Sequence, residues 1–115
     1  MLVDMFALSP EGAYQNSIPL RAVLLSVRDV TLYPGGRCDA AKFREKHLIP
    51  KWQIAKQTDS VLILNLDGCR GYAASWIDEL FCLPPDVLND LRRRLVVVSD
   101  EELHWLYLIE QILYG

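Results

Sequence analysis

The stretch Val61-Leu62-Ile63-Leu64-Asn65-Leu66-Asp67-Gly68 decides the fold of this chain. Its first six residues are almost continuously apolar and rich in strand-forming side chains. Runs of this kind are typical of strands that are buried on both faces, at the centre of an α/β sheet. The pair Asp67-Gly68 is a turn signal. We therefore predict a central strand that ends in a sharp turn.

Helical patterns flank this strand on both sides. Asp39 is a plausible N-cap for a helix from Ala40 to about Gln57, with a kink or restart at Pro50. After the turn, a helix is expected to start near Ala73, with inward side chains at helical spacing. These are Trp76, Ile77, Leu80 and Phe81. Pro84-Pro85 then opens another helix, because proline is well placed in a first helical turn.

Two more segments read as strands, and a third does so weakly. Residues 22–28 alternate between apolar and polar positions, and residues 95–98 form a second buried-type run. A short strand is also expected around Val3, Met5 and Ala7, before a turn at Ser9–Gly12. Strands that alternate with helices indicate an α/β fold with parallel members and right-handed crossovers.

Composition places the whole chain in one domain. The 115 residues are 51% hydrophobic and 23% charged, which favours a packed core over disorder. The net charge of −3 argues against binding to nucleic acid, and no apolar run is long enough to cross a membrane. The first residues lack the basic and apolar regions of a signal peptide. We expect a single domain over residues 1–115, located in the cytoplasm.

The residues that usually carry chemistry form no recognisable constellation. Cys38, Cys69 and Cys82 have irregular spacing, and His47 and His104 lie far apart, so no metal site or other cofactor is expected. The glycine-rich phosphate loops and hydrolase motifs are missing, and we predict no enzymatic activity. One alternative remains open: a ligand-binding or catalytic site at the strand ends, built from polar side chains. These would be Arg37, Asp67, Arg70 and Ser75.

The last helix is expected over residues 101–114, capped by Ser99-Asp100-Glu101-Glu102. Apolar residues such as Trp105 and Tyr107 cover most of its circumference. A helix of this kind is either fully buried or lies at an interface, and a small domain has little room for complete burial. We therefore predict a protein contact through this helix, with a homodimer as one form of it.

Four separated pieces of the sequence resemble a known family. They are Gly36-Arg37, the segment Lys42-Phe43-Arg44-Glu45 with Leu48-Ile49-Pro50, the segment Val61–Gly68 with Gly71-Tyr72, and Ser75–Phe81. In order and spacing, over residues 36–81, they resemble the STAS-like bacterial family of unknown function. That family is similar to the STAS domains of anti-sigma factor antagonists.

The resemblance implies a mixed sheet of about four strands with helices packed mainly on one side. It also implies a regulatory domain that binds a protein partner, such as a histidine-kinase-like ATPase that phosphorylates a serine in the strand-to-helix turn. Ala73 and Ala74 stand where a phosphorylated STAS domain has its Asp-Ser pair, so Ser75 is the candidate phosphosite. From its position at a helix start, Ser75 is interpreted first as a simple cap and second as a phosphosite.

Together these readings predict a non-enzymatic domain that binds a protein, either a kinase-like ATPase or a second copy of itself. The expected partner-binding residues are Arg70, Tyr72, Ser75, Trp76, Glu79, Trp105 and Tyr107. One alternative is a small phage or mobile-element inhibitor protein with the same fold. The other is the ligand site or enzyme around Asp67 and Arg70.

Overall fold

Three parallel strands form the centre of the fold in the computed structural model, which describes residues 21–31 and 34–115. They are β1 (Ala22–Ser26), β2 (Val61–Asn65) and β3 (Leu95–Val98), in the order β1-β2-β3. The prediction that residues 61–66 form the central strand is therefore confirmed to within one residue. Across these described ranges the sheet has three strands, all parallel, and the predicted mixed sheet of about four strands is not confirmed there. The strand expected around Val3–Ala7 and the turn after it lie outside them.

The strand predicted over residues 22–28 is two residues too long. Residues Val27–Asp29 form a 3₁₀ turn instead, in which the amide of Val30 donates to the carbonyl of Val27. The predicted alternation of side chains still holds within β1, where Leu25 is buried and Leu24 is 65% exposed. The chain thus leaves the sheet directly after Ser26.

One helical run follows, made of α1 (Arg37–Phe43), a π-helical segment (Arg44–Leu48) and α2 (Ile49–Gln57). The start predicted at Ala40 with Asp39 as cap is wrong, because Gly36 occupies the N-cap. Asp39 lies in the first turn, where a negative charge is favoured by the helix dipole. The restart expected at Pro50 is confirmed. Proline has no amide hydrogen, and just before it the amide of Ile49 reaches back five residues, to the carbonyl of Arg44.

Three more helices complete the described chain: α3 (Ala74–Leu80), α4 (Pro85–Arg94) and α5 (His104–Tyr114). The predicted starts of α3 and α4 are confirmed to within one residue. The start predicted for the last helix is wrong, because α5 begins three residues later, at His104. The Ser99 hydroxyl donates to the carbonyl of Glu102 at 2.7 Å, within the turn that precedes α5.

One hydrophobic core joins the sheet to every α-helix. The register places Leu25, Leu64 and Val97 side by side on the face of the sheet that belongs to this core. The helices contribute large buried side chains to the same cluster, among them Phe43, Trp52, Trp76, Leu91 and Ile109. On the opposite face, Leu24 pairs with Ile63 and is largely exposed.

A buried polar network closes the end of the core where β2 and β3 begin. Asp90 accepts hydrogen bonds from Trp52 Nε1 at 2.7 Å and from Arg94 Nε at 2.8 Å. Arg94 also donates to the carbonyls of Ala55 and Ser60. The Arg94 guanidinium holds the pKa of Asp90 below its usual value. The arginine at the end of α4 thus ties three parts of the chain together.

Candidate functional site

The turn after β2 is latched to the turn after β3. The Asp67 carboxylate accepts the backbone amides of Asp100 at 3.1 Å and of Glu101 at 3.0 Å. In return, the Glu101 carboxylate accepts the amide of Gly68 at 2.7 Å. These bonds tie residues 100–101 to the turn after β2, and both residues lie before α5. Asp67 is therefore used to join two turns.

Gly68 is required at its position in this latch. Its φ is +90°, a left-handed conformation that residues with a side chain rarely adopt. A Cβ at this position would lie 2.5 Å from Cδ of Arg28, whose side chain covers the turn. The Asp67-Gly68 turn predicted from the sequence thus depends on a glycine for both its backbone shape and its packing.

Tyr72 is fixed by an internal hydrogen bond and by two aromatic neighbours. Its hydroxyl donates to the carbonyl of Leu66 at 2.6 Å and also contacts the thiol of Cys69. Its ring lies 5.4 Å from that of Trp76 and 5.8 Å from that of Trp105. Burial raises the pKa of both Tyr72 and Cys69 above their usual values. Tyr72, predicted as a partner contact, anchors its loop to the core.

Ser75 does not cap α3. The N-cap is Ala73, which has no side-chain bond to the helix, and Ser75 is the second residue of the helix and half-buried. The cap interpretation of Ser75 is therefore wrong. The next residue, Trp76, is completely buried in the core. It lies beneath the surface on which it was expected to meet a partner.

Glu79, another predicted partner contact, forms an ion pair inside the domain. Arg44 donates to the Glu79 carboxylate at 2.9 Å and also to the Glu79 carbonyl. Next to this pair, the ring of Phe43, the residue before Arg44, lies 5.4 Å from the ring of Trp76, which is one turn before Glu79. Two pieces of the family pattern, Lys42–Glu45 and Ser75–Phe81, thus meet face to face. The residues that carry the resemblance build the contact between the first helical run and α3.

A shallow cavity of about 320 Å³ lies beside Arg70. Its lining is formed by Pro34, Gly35, Arg70, Gly71, Tyr72 and Ala73. The other three residues of the alternative polar site, Arg37, Asp67 and Ser75, do not line this cavity. The four polar side chains proposed for a ligand site are therefore not gathered here.

The outward side of α5 carries a row of uncharged side chains at helical spacing. We define the outer face of α5 as Leu103, at its N-cap, with Tyr107, Gln111 and Tyr114. Leu103 is 59% exposed and Tyr107 is 60% exposed. Trp105, on the inward side, is buried against Tyr72 and the His104 ring. Of the two residues that the sequence singled out on this helix, Tyr107 is at the surface and Trp105 is not.

Leu103 and Tyr114 belong to the apolar residues of this helix but are not among the predicted partner-binding residues, and Gln111 was not expected at all. Their spacing to Tyr107 is the signal that could have found them, since steps of three or four residues repeat on one side of a helix. The Tyr114 hydroxyl donates to the carbonyl of Arg92, which fixes the end of the row against α4. The four side chains form a continuous strip along one helix.

Comparisons with protein-family models, with curated proteins and with solved structures find no match. Within residues 21–31 and 34–115, no helix is long and apolar enough to cross a membrane. The same part of the chain contains no group of three or more His, Cys, Asp or Glu residues placed to hold a metal ion. What the described structure defines is an α/β domain around a three-stranded parallel sheet.

Proposed function

We propose that this chain is a non-enzymatic regulatory domain that binds a protein partner through the outer face of α5. The observation that carries the proposal is the exposure of Leu103 and Tyr107, each by more than half, beside a well-packed core. Exposed apolar groups arranged in one strip mark interaction surfaces more often than isolated ones do. Tyrosine is also enriched in protein interfaces, where its ring is buried and its hydroxyl finds a partner.

A second copy of the same chain is the first partner we propose. The chain carries a net charge of −3, yet the four side chains of the outer face are all uncharged. A two-fold arrangement uses the same patch twice, with the half-buried Glu110 of each copy, which lies at helical spacing to Tyr107 and Tyr114, at the edge of the contact. Four side chains bury less than the roughly 1,200–2,000 Å² of a stable interface, so the pairing is weak.

The STAS-like fold and its regulatory setting belong to the same proposal. Support comes from the contact between α1 and α3, which joins two pieces of the family pattern through Phe43, Trp76, Arg44 and Glu79. In this setting a kinase-like ATPase is the second partner to test. We place the domain in the cytoplasm, which agrees with its three unpaired cysteines.

Sedimentation equilibrium over a wide concentration range tests the self-pairing. The wild type is expected to show a mass that rises towards twice that of the monomer, and Tyr107→Glu is expected to stay monomeric. Ile54→Glu is the matched control, because Ile54 is 47% exposed on α2, away from the outer face. A wild type that remains monomeric throughout contradicts self-pairing.

Capture from the native host's lysate separates the other partners. If the wild type retains a protein that Tyr107→Glu does not retain, the outer face binds a different partner. A chain that is monomeric and retains nothing specifically contradicts the whole proposal.

Mass spectrometry of the protein from its native host tests the narrower idea that Ser75 is phosphorylated. If Ser75 is unmodified under every growth condition, the phosphorylation of Ser75 is contradicted, and the proposal that the outer face of α5 binds a partner is unaffected.

A further inference from the structure

A separate cavity lies where the chain leaves β1 and enters the first helical run. It has a volume of about 280 Å³ and is lined by Val30, Thr31, Asp39, Lys42, Phe43, Lys46 and His47. In open α/β sheets, ligands bind in the crevice beyond the carboxyl ends of the strands. This cavity has that location, since Val30 and Thr31 follow β1 after one 3₁₀ turn. It is distinct from the outer face of α5 and from the cavity at Arg70.

The cavity gathers positive charge in a chain that is acidic as a whole. Lys42 and Lys46 lie four residues apart, so their side chains leave the same side of the helical run. Among the ion pairs of the described residues, neither lysine has a partner, and both are exposed. Like charges at this spacing repel each other. An anion bound between them would relieve this repulsion.

The other lining residues of the cavity provide a further hydrogen-bond donor, an apolar wall and one negative charge. His47 adds a third nitrogen donor, and its ring lies 5.3 Å from that of Phe43. Lys46 and His47 belong to the π-helical segment that ends just before Pro50. Segments of this kind occur often at functional sites. Phe43 and Val30 supply an apolar wall, and the single carboxylate of Asp39 offsets part of the positive charge.

We propose that this cavity binds a phosphate group, carried on a small molecule with an apolar or ring-shaped body. Lys42 and Lys46 donate charge-assisted hydrogen bonds to the phosphate oxygens, and the ring N–H of His47 donates a further one. The body of the ligand lies against Phe43 and Val30. A volume of about 280 Å³ admits a small phosphomonoester. Free phosphate shares the same charged group but does not use the apolar wall.

NMR titration of the ¹⁵N-labelled chain tests the site with three probes: phenyl phosphate, inorganic phosphate and phenol. Phenyl phosphate is expected to give saturable shifts at the residues that line the cavity. Inorganic phosphate is expected to bind more weakly at the same residues, and phenol is expected not to bind. Equal binding of the two phosphates would overturn the role of the apolar wall and assign the site to free phosphate.

Variants with opposite expected effects make the test sharper. Lys42→Gln and Lys46→Gln should each weaken phenyl phosphate binding roughly tenfold, since each removes one charge-assisted bond. Asp39→Asn should strengthen it a few-fold, because it removes the negative charge beside the ligand. Lys51→Gln is the control: it removes one positive charge from the same helical run, outside the cavity lining. Absence of saturable shifts, or an equal loss in Lys51→Gln, would overturn the proposal.

Discussion

The segment Asp67–Phe81 and the helix α5 both carry side chains that the sequence marks for partner binding, but the structure uses them in opposite ways. In the first region, Tyr72 bonds to Leu66, and Glu79 pairs with Arg44. In α5, Tyr107 makes no such tie and is 60% exposed. The region with the recognisable pattern is thus the more internal of the two.

The difference shows that residues which resemble a family pattern can pack inside a domain and need not form a binding surface. The pattern around Phe43, Arg44, Trp76 and Glu79 fixes how α1 and α3 meet. A partner surface needs only exposed side chains with suitable chemistry, and α5 provides them without any family pattern. The following changes would break or sharpen this contrast.

Trp76→Ala should have the largest effect, because Trp76 is completely buried and contacts both Phe43 and Tyr72. We expect the free energy of unfolding to fall by about 3–5 kcal/mol, as for other large-to-small changes in a core. Urea denaturation followed by circular dichroism measures this loss. A loss under about 1 kcal/mol would mean that the core around α3 is looser than described.

Arg44→Met should come next, since it removes both hydrogen bonds to Glu79 and leaves that carboxylate without its partner. Charged hydrogen bonds of this kind contribute about 2 kcal/mol, which is the destabilisation we expect in the same urea experiment. Glu45→Gln is the control. The Glu45 side chain also pairs with Arg44 but is 62% exposed, so its loss should be within about 0.5 kcal/mol. If both variants lost the same free energy of unfolding, the Arg44–Glu79 pair would contribute no more stability than the exposed Arg44–Glu45 pair.

Asp67→Ala should open the latch between the turns after β2 and β3. We expect a loss of about 1–2 kcal/mol, because two backbone amides lose their acceptor. Hydrogen exchange at the amides of Asp100 and Glu101 should become faster, and the amides within β2 should be less affected. Asp100→Ala, which removes an exposed carboxylate from the same corner, should leave both exchange rates nearly unchanged. Unchanged exchange in Asp67→Ala would contradict the latch.

Tyr107→Glu should have the smallest effect on folding. The side chain points to solvent, so the free energy of unfolding should change by no more than about 0.5 kcal/mol. Tyr107→Glu should therefore unfold at nearly the same urea concentration as the wild type. A large destabilisation would mean that Tyr107 supports the core, and the contrast between the two regions would fail.

The central part of the fold could be predicted from the sequence because its signals are local. The apolar run at Val61, the turn at Asp67-Gly68 and the prolines at 50 and 85 each act on the residues next to them. The contact between Asp67 and the turn before α5 could not be predicted, because Asp67 is 33 residues earlier than Asp100 in the chain. Local capping rules favoured Ser99, but its hydroxyl bonds to the carbonyl of Glu102 and not to a helix amide.

The candidate site was harder to predict for the same reason. Aromatic and charged residues in a loop look available until their partners are known, and Tyr72 and Glu79 find theirs in distant parts of the chain or in the core. The sequence could predict that α5 has exposed apolar side chains, because a helix with apolar residues around most of its circumference cannot be fully buried in a small domain. Which side of the helix faces outward depends on how α5 packs against α4 and Tyr72.

The most direct test of the account is sedimentation equilibrium of Tyr107→Glu and Arg70→Glu beside the wild type. Both variants replace an exposed side chain with a carboxylate, one on the outer face of α5 and one in the loop after β2. We predict that the wild type and Arg70→Glu pair with equal strength and that Tyr107→Glu is monomeric. If Arg70→Glu were monomeric and Tyr107→Glu still formed dimers, the account would be contradicted. The partner surface would then lie in the loop after β2.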